Sequence, residues 1–287
     1  MTESAGPTWL RRALAVQPEE KSVDVEGARV RYRAWGAPGA PGVVLVHGGL
    51  AHARWWDHIA PHLHGYRVLA PDLTGHGDSE WREGYDTTQW ARELAEVIRD
   101  DALERPVIVG HSMGGLPAVT AAVHLGDALT GVATIDVRFN DGEWPGRDKP
   151  SDRFASVAEG VARFAPIAAQ SGVEVDAALQ RYVAKTSLRW DHDAWRWKRA
   201  DSYGIQRIPL RELLPQLQVP LAIVRTDHGL VTPEAAVEMQ QLTPARSVVT
   251  SVPEAGHNPM LEQPLAFVGV LRALLDGWWS MPGDTTE

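Results

Sequence analysis

Five residues near the middle of the chain, Gly110-His111-Ser112-Met113-Gly114, combine a hydroxyl nucleophile with two glycines at Gly-x-Ser-x-Gly spacing. The apolar run Val107-Ile108-Val109 precedes them and a helical pattern from Met113 to Leu125 follows, so the serine stands where a strand turns sharply into a helix. A nucleophile on such a turn is held in a strained backbone conformation. The flanking glycines remove side chains that would collide with the neighbouring strand and helix. A serine hydroxyl is a poor nucleophile near neutral pH; it needs a base, and the base needs an orienting acid. Of the 11 histidines, His257 is the best placed, in the loop Pro253-Glu254-Ala255-Gly256-His257-Asn258-Pro259 between the last predicted strand and the last predicted helix. Two carboxylates compete for the third place: Asp136, which ends Thr134-Ile135-Asp136, and Asp227, in the turn Val224-Arg225-Thr226-Asp227-His228-Gly229. Either keeps the order Ser, Asp, His along the chain.

Other chemistries fail on residue type. A phosphate-binding loop needs Lys followed by Ser or Thr after its last glycine, and Leu116-Pro117 follows Gly115 instead. The chain has no cysteine, which excludes thiolate nucleophiles, disulfides, iron–sulfur clusters and Cys-rich zinc sites. No His-Glu-x-x-His or comparable cluster is present, so neither a metal nor a cofactor is expected. With 28 Lys+Arg against 37 Asp+Glu, the formal charge of −9 argues against nucleic acid as a partner. No apolar run reaches the roughly 20 residues of a membrane span, and Met1 to Val16 lacks the layout of a secretory signal. A cytoplasmic protein acting on a small molecule, monomeric or homodimeric, is the expectation.

The elements that must position these residues follow an α/β pattern. Strands are predicted at Ser22 to Glu26, Ala28 to Trp35, Gly42 to Val46, Tyr66 to Ala70, Pro106 to Val109, Gly131 to Ile135, Leu221 to Val224 and Ser247 to Val252, the first two meeting in a hairpin at Glu26-Gly27. Helical patterns at Trp55 to Leu63, Thr88 to Leu103, Met113 to Leu125, Pro233 to Leu242 and Leu265 to Leu275 lie between them. In a doubly wound sheet the turns at Ser112 and His257 both open at the carboxyl edge, where ligands bind. The interval from about Val137 to Leu217 breaks the alternation. It is too long for a structureless loop and reads as a helical cap, with helices near Ser156 to Ala169 and Asp176 to Lys185. The expected organisation is a core of residues 1–136 and 218–287 and a cap of residues 137–217.

Four motifs in this order, Val46-His47-Gly48-Gly49, Pro71-Asp72-Leu73-Thr74-Gly75-His76-Gly77-Asp78-Ser79, Gly110 to Gly115 and Gly256-His257, make the chain from about Ser22 to Leu275 resemble the α/β-hydrolase superfamily, the cap excepted. The resemblance implies an α/β-hydrolase fold, an eight-stranded, mostly parallel sheet flanked by helices with a helical cap inserted after strand 6. It implies that backbone amides of Gly49 and Met113 form an oxyanion hole, and that His47 and His111 pack behind the site. Many relatives carry the acid after the seventh strand, in Gly-x-Asp or Gly-x-x-Asp turns. With Thr226 in that glycine's place, Asp227 falls one or two positions early, whereas Asp136 sits at the second location used in the superfamily. Asp136 is therefore preferred, with Asp227 kept as the alternative.

Dehalogenases and epoxide hydrolases of the superfamily use Asp as nucleophile, so Ser112 points to acyl chemistry: hydrolysis of an ester or lactone through an acyl-enzyme. The same residues also serve carbon–carbon bond hydrolysis, acyl transfer or a cofactor-free non-hydrolytic reaction, and a binding or receptor protein on a hydrolase scaffold is a third class. The 12 tryptophans against 4 phenylalanines are unusual. Trp55 and Trp56 follow the His-Gly-Gly loop, and Trp144 and Trp190 lie in the cap; these rings are expected to wall a pocket for an apolar or aromatic ester.

Overall fold

The computed structural model describes residues 6–139, 153–165, 172–199 and 205–279. Eight strands form one sheet in the order β1-β2-β4-β3-β5-β6-β9-β10. They are β1 (Glu19–Val25), β2 (Ala28–Trp35), β3 (Gly42–Val46), β4 (Arg67–Pro71), β5 (Val107–His111), β6 (Gly131–Ile135), β9 (Leu221–Thr226) and β10 (Ser247–Val252), with a separate pair, β7 (Leu188–Asp191) and β8 (Ala194–Trp197), in the inserted region. β1 and β2 pair antiparallel across the Glu26-Gly27 turn, and both turn residues take positive φ, 45° and 79°, as a two-residue hairpin turn requires. β2 meets β4 antiparallel, and every pairing from β4 to β10 is parallel.

The central strands are unbroken apolar runs because both faces are covered by helices; all five residues of β3, Gly-Val-Val-Leu-Val, are buried. The helices are α1 (Thr8–Ala15), α2 (Thr87–Asp100), α3 (Gly115–Leu125), α4 (Val157–Arg163), α5 (Ala177–Thr186), α6 (Leu210–Leu213), α7 (Pro233–Leu242), α8 (Pro259–Glu262) and α9 (Pro264–Trp279). α2 starts where the Asp86 carboxylate accepts the Gln89 amide at 2.7 Å, and it buries Trp90, Leu94 and Val97 against the sheet. Thr232 caps α7 in the same way, ahead of Pro233 at its first position.

Two local patterns differ from the sequence expectation. The helix expected from Trp55 to Leu63 is two short 3₁₀ turns, Ala53–Trp56 and Ala60–His62. Pro61, inside the second, has no amide to extend an α-helical ladder. The inserted region contains α4 and α5, as expected, and also the β7–β8 hairpin, closed by a turn at His192 with φ 53°. The alternation of Trp and Arg on either side of Asp191-His192-Asp193 is a strand pattern, which the expectation of a helical cap does not include.

Beyond the hydrophobic layers, one ionic group fixes β4. The Arg67 side chain, 1% exposed, holds Asp101 through two hydrogen bonds of 2.7 and 2.9 Å and reaches Glu19 at 2.6 Å. Burial works to raise the Asp101 pKa, but hydrogen bonds from Arg67 and Lys21 outweigh it and hold the carboxyl below its usual range. Arg67→Met leaves Asp101 short of its main partner in a buried place, and a loss of about 3 to 5 kcal/mol is expected in urea unfolding at neutral pH. A depressed carboxylate contributes stability above its ordinary pKa and loses it as pH falls through the folded value, so the gap between variant and wild type narrows below about pH 4.

Candidate active site

Ser112 stands directly after β5 with φ 49°, one of few non-glycine residues in the left-handed region. That conformation is sterically costly for a residue with a Cβ and persists only where the surroundings enforce it. The enforcement is visible at the flanking glycines. A Cβ on Gly110 would lie 2.5 Å from the Gly114 carbonyl oxygen and 2.6 Å from the Gly115 Cα, and one on Gly114 would strike the His47 carbonyl oxygen. The strand, the turn and the His47–Gly49 loop therefore press together at backbone distance, and the hydroxyl is lifted off the sheet edge.

His257 follows β10 and Asp136 follows β6, and the sheet brings both to Ser112. The Ser112 hydroxyl is 2.9 Å from His257 Nε2, and His257 Nδ1 is 2.7 Å from Asp136 Oδ2. The carboxylate can only accept from Nδ1–H, which leaves Nε2 bare to accept the Ser112 proton. Asp136 is wholly buried and also has positive φ, 45°. Its oxygens accept the Leu230 amide at 2.8 and 2.9 Å and the Val231 amide at 3.0 Å. The other candidate acid, Asp227, points elsewhere: its Oδ2 accepts the Glu254 amide at 2.9 Å and makes no hydrogen bond to His257. The turn that carries Asp227 still serves the site, through its amides. Gly229 is essential to this, since a Cβ there would collide with the Asp136 carboxylate and the Thr226 hydroxyl.

The loop after β3 passes over the nucleophile. A Cβ on Gly48 would lie 2.7 Å from His111 Nδ1 and 3.2 Å from Ser112 Cβ, and one on Gly49 would touch Met113 at 3.7 Å. Gly49 and Met113 are thus brought together beside Ser112. His47 fastens this loop, its Nδ1–H donating to the Gly48 carbonyl at 2.8 Å while Nε2 accepts the Leu73 amide at 3.2 Å. His111 donates from Nε2 to the His257 carbonyl at 2.7 Å, tying the end of β5 to the loop that carries the base. Burial pushes both imidazoles down, His47 to about 4 and His111, beside His257, to about 3, so both are neutral.

Sequence reading missed one connection between the inserted region and this loop. Ser187, between α5 and β7, gives its hydroxyl proton to the Val183 carbonyl at 2.7 Å. Its oxygen accepts from His52 Nε2 at 2.9 Å and Trp55 Nε1 at 3.4 Å. The following loop is held by Asp72, whose carboxylate accepts the Ala53 and Asp78 amides at 2.6 and 2.8 Å while Lys198 reaches Asp78 at 2.6 Å. A lone serine in a polar stretch carries no such signal in sequence.

Of the four expected wall rings, the three that are described pack against different partners. Trp55 is buried and meets Phe164 edge-on at 6.1 Å, and Trp56 is buried in stacking contact with Phe267 of α9. Trp190 is 57% exposed on the hairpin, packed against Trp195. Trp144 lies outside the described residues. Met113, Val137 and Phe139 belong to the buried hydrophobic core, and Val137 packs against Gly115 of the nucleophile turn. No helix among the described residues is long and apolar enough to cross a membrane.

Known proteins similar to this chain match it over most of its length. The esterase Rv0045c of Mycobacterium tuberculosis is 29% identical over 265 residues, 88% of each chain. A pimeloyl–acyl-carrier-protein methyl ester esterase of Nitrosomonas europaea is 26% identical over 246 residues, 82% of this chain and 95% of the relative. A solved structure of the mycobacterial esterase superposes with a TM-score of 0.72 at 25% identity, over 95% of this chain and all of that one. Residues 43–270 match the alpha/beta hydrolase family, and the chain, with its Ser112, His257 and Asp136 in the geometry of a serine-hydrolase triad, belongs to that family.

Proposed function

We propose that the protein hydrolyses a small carboxylic ester or lactone through an acyl-enzyme on Ser112. The observation that carries this reading is the continuous hydrogen-bonded chain Ser112 Oγ to His257 Nε2, and His257 Nδ1 to Asp136, beside the glycine loop that approaches Met113. The esterase relatives that span most of the chain support it.

In this mechanism His257 Nε2 removes the Ser112 proton as Oγ attacks the ester carbonyl carbon. The oxyanion that forms is received by the amides of Gly49 and Met113, each donor contributing about 3 to 4 kcal/mol of transition-state stabilisation. The protonated His257, steadied by the Asp136 carboxylate, passes its proton to the departing alkoxide, and the alcohol leaves. Water then gives a proton to His257 and attacks the acyl carbon, and Ser112 is regenerated as the acid departs. Fixing the imidazole orientation before the reaction is the role assigned to Asp136 and to the two amides that anchor it. The acyl group is assigned as apolar or aromatic, with Met113, next to Ser112 in the chain, as apolar surface beside it. Of the four tryptophans, Trp55 is the ring assigned to the pocket wall, because it lies on the loop that leaves Gly49 and meets the inserted region at Phe164 and Ser187.

Two measurements test the proposal. A fluorophosphonate probe is expected to add one mass equivalent to Ser112 in the folded protein and none to Ser112→Ala; an unlabelled Ser112 under conditions that label a control esterase sinks the reading. With short p-nitrophenyl esters, Asp136→Asn is expected to lower kcat about 10⁴-fold by presenting the wrong tautomer of the base. Asp227→Asn is expected to stay within a few-fold of wild type, and the reverse ranking would reassign the acid.

A further inference from the structure

A cleft of about 430 Å³ is lined by Glu20 of β1, Arg31, Tyr32 and Arg33 of β2, and Arg54, Asp72 and Asp78 from the loops after β3 and β4. Strands β4 and β3 separate β2, which carries Arg31 and Arg33, from β5, which delivers Ser112. The volume falls within the range of small-molecule pockets.

The acids in the wall are already engaged. Glu20 accepts from Arg33 Nη1, Asp78 is held by Lys198, and both Asp72 oxygens accept backbone amides. Burial also pushes the Asp72 carboxyl up to about 7, which lowers the negative charge that it presents. The arginines are not used up. Arg33 spends Nε on Asp57 at 2.8 Å and Nη1 on Glu20, with Nη2 left over. Arg54 donates from Nη2 to the Tyr182 hydroxyl at 3.3 Å and pairs with Asp57 through Nε at 3.6 Å, beyond hydrogen-bond reach, so its buried Nε has no hydrogen-bond acceptor. The Arg31 guanidinium has no hydrogen bond or ion pair among the described residues; only its backbone is engaged. A single exposed arginine is ordinary. Three guanidinia with spare donors on one concave wall make a fork-shaped donor site for oxyanions, which arginine grips through paired N–H bonds.

We propose that this cleft is a second binding site, separate from the reaction at Ser112, for a small organic molecule carrying a doubly charged oxyanion group, a phosphate monoester or a dicarboxylate. Arg31 supplies the uncommitted charge, and Arg33 and Arg54, already fixed in place by Asp57 and Tyr182, supply oriented donors that lose little freedom on binding. The proposal does not depend on the ester-hydrolase reading, and its test reads binding directly.

Calorimetric titration with inorganic phosphate and, separately, with succinate, both against chloride at matched ionic strength, is expected to show saturable binding of at least one of them to the wild-type protein. The stronger of the two distinguishes a phosphate from a dicarboxylate ligand. Arg31→Ala, a surface change expected to keep wild-type p-nitrophenyl ester turnover and the wild-type melting temperature without ligand, is expected to weaken that binding tenfold or more, and Arg31→Glu to abolish it. The same anion is expected to raise the melting temperature of wild type and not of Arg31→Glu. Absence of saturation with both probes, or an affinity unchanged in Arg31→Ala, overturns the proposal.

Discussion

A carboxylate with no access to water governs the geometry of this site. Asp136 ends β6 in a left-handed conformation, and its two oxygens collect the Leu230 and Val231 amides and the His257 imidazole. Stripping a charge of its hydration is costly unless hydrogen bonds replace it, and here they come from two other segments at once. The need to satisfy one buried charge thus sets the turn after β9, the orientation of the imidazole after β10 and, through that ring, the direction of the Ser112 hydroxyl. Gly229 follows from the same need, since any side chain there would occupy the space of the carboxylate.

Around this centre the histidines of the sequence divide by environment. Among the described residues, His257 holds the arrangement in which a bare ring nitrogen faces the proton of the Ser112 hydroxyl. His47, His52 and His111 are buried against carbonyls, amides and a hydroxyl, and desolvation keeps them neutral and structural. His111 and His47 clamp the base-bearing loop and the glycine loop, respectively, onto the strand ends. Small displacements of either loop would misplace a donor or acceptor by a fraction of a bond length, and catalytic interactions are sensitive on that scale.

The core and the reacting residues could be read from sequence because they depend on local rules. Buried parallel strands demand continuous apolar runs, a nucleophile turn demands glycine on both sides, and a hairpin turn with positive φ selects Glu26-Gly27. The preference for Asp136 over Asp227 rests on the superfamily resemblance, which offers the end of the sixth strand as a place for the acid. What sequence did not disclose is nonlocal. Leu230 and Val231 act through amides, which every residue has, so nothing in their identity marks them. Ser187 is one polar residue among many until the fold sets it against His52 and Trp55. The tryptophan excess misled in part for the same reason: a large ring satisfies a core, as Trp56 does against Phe267, or a hairpin surface, as Trp190 does, as readily as a pocket.

The parallel connection of the sheet has a kinetic side. His257 lies 145 residues from the serine that it contacts and 121 from its aspartate. Contacts closed over such separations form slowly, because the loop entropy must be overcome before any bond repays it. A partly folded chain that has assembled the β3–β5–β6 centre already owns its serine and its aspartate, yet it has no imidazole between them until β10 docks beside β9. The reacting constellation therefore requires β10 in place beside β9, and a chain in which that strand is undocked has no base to activate its hydroxyl.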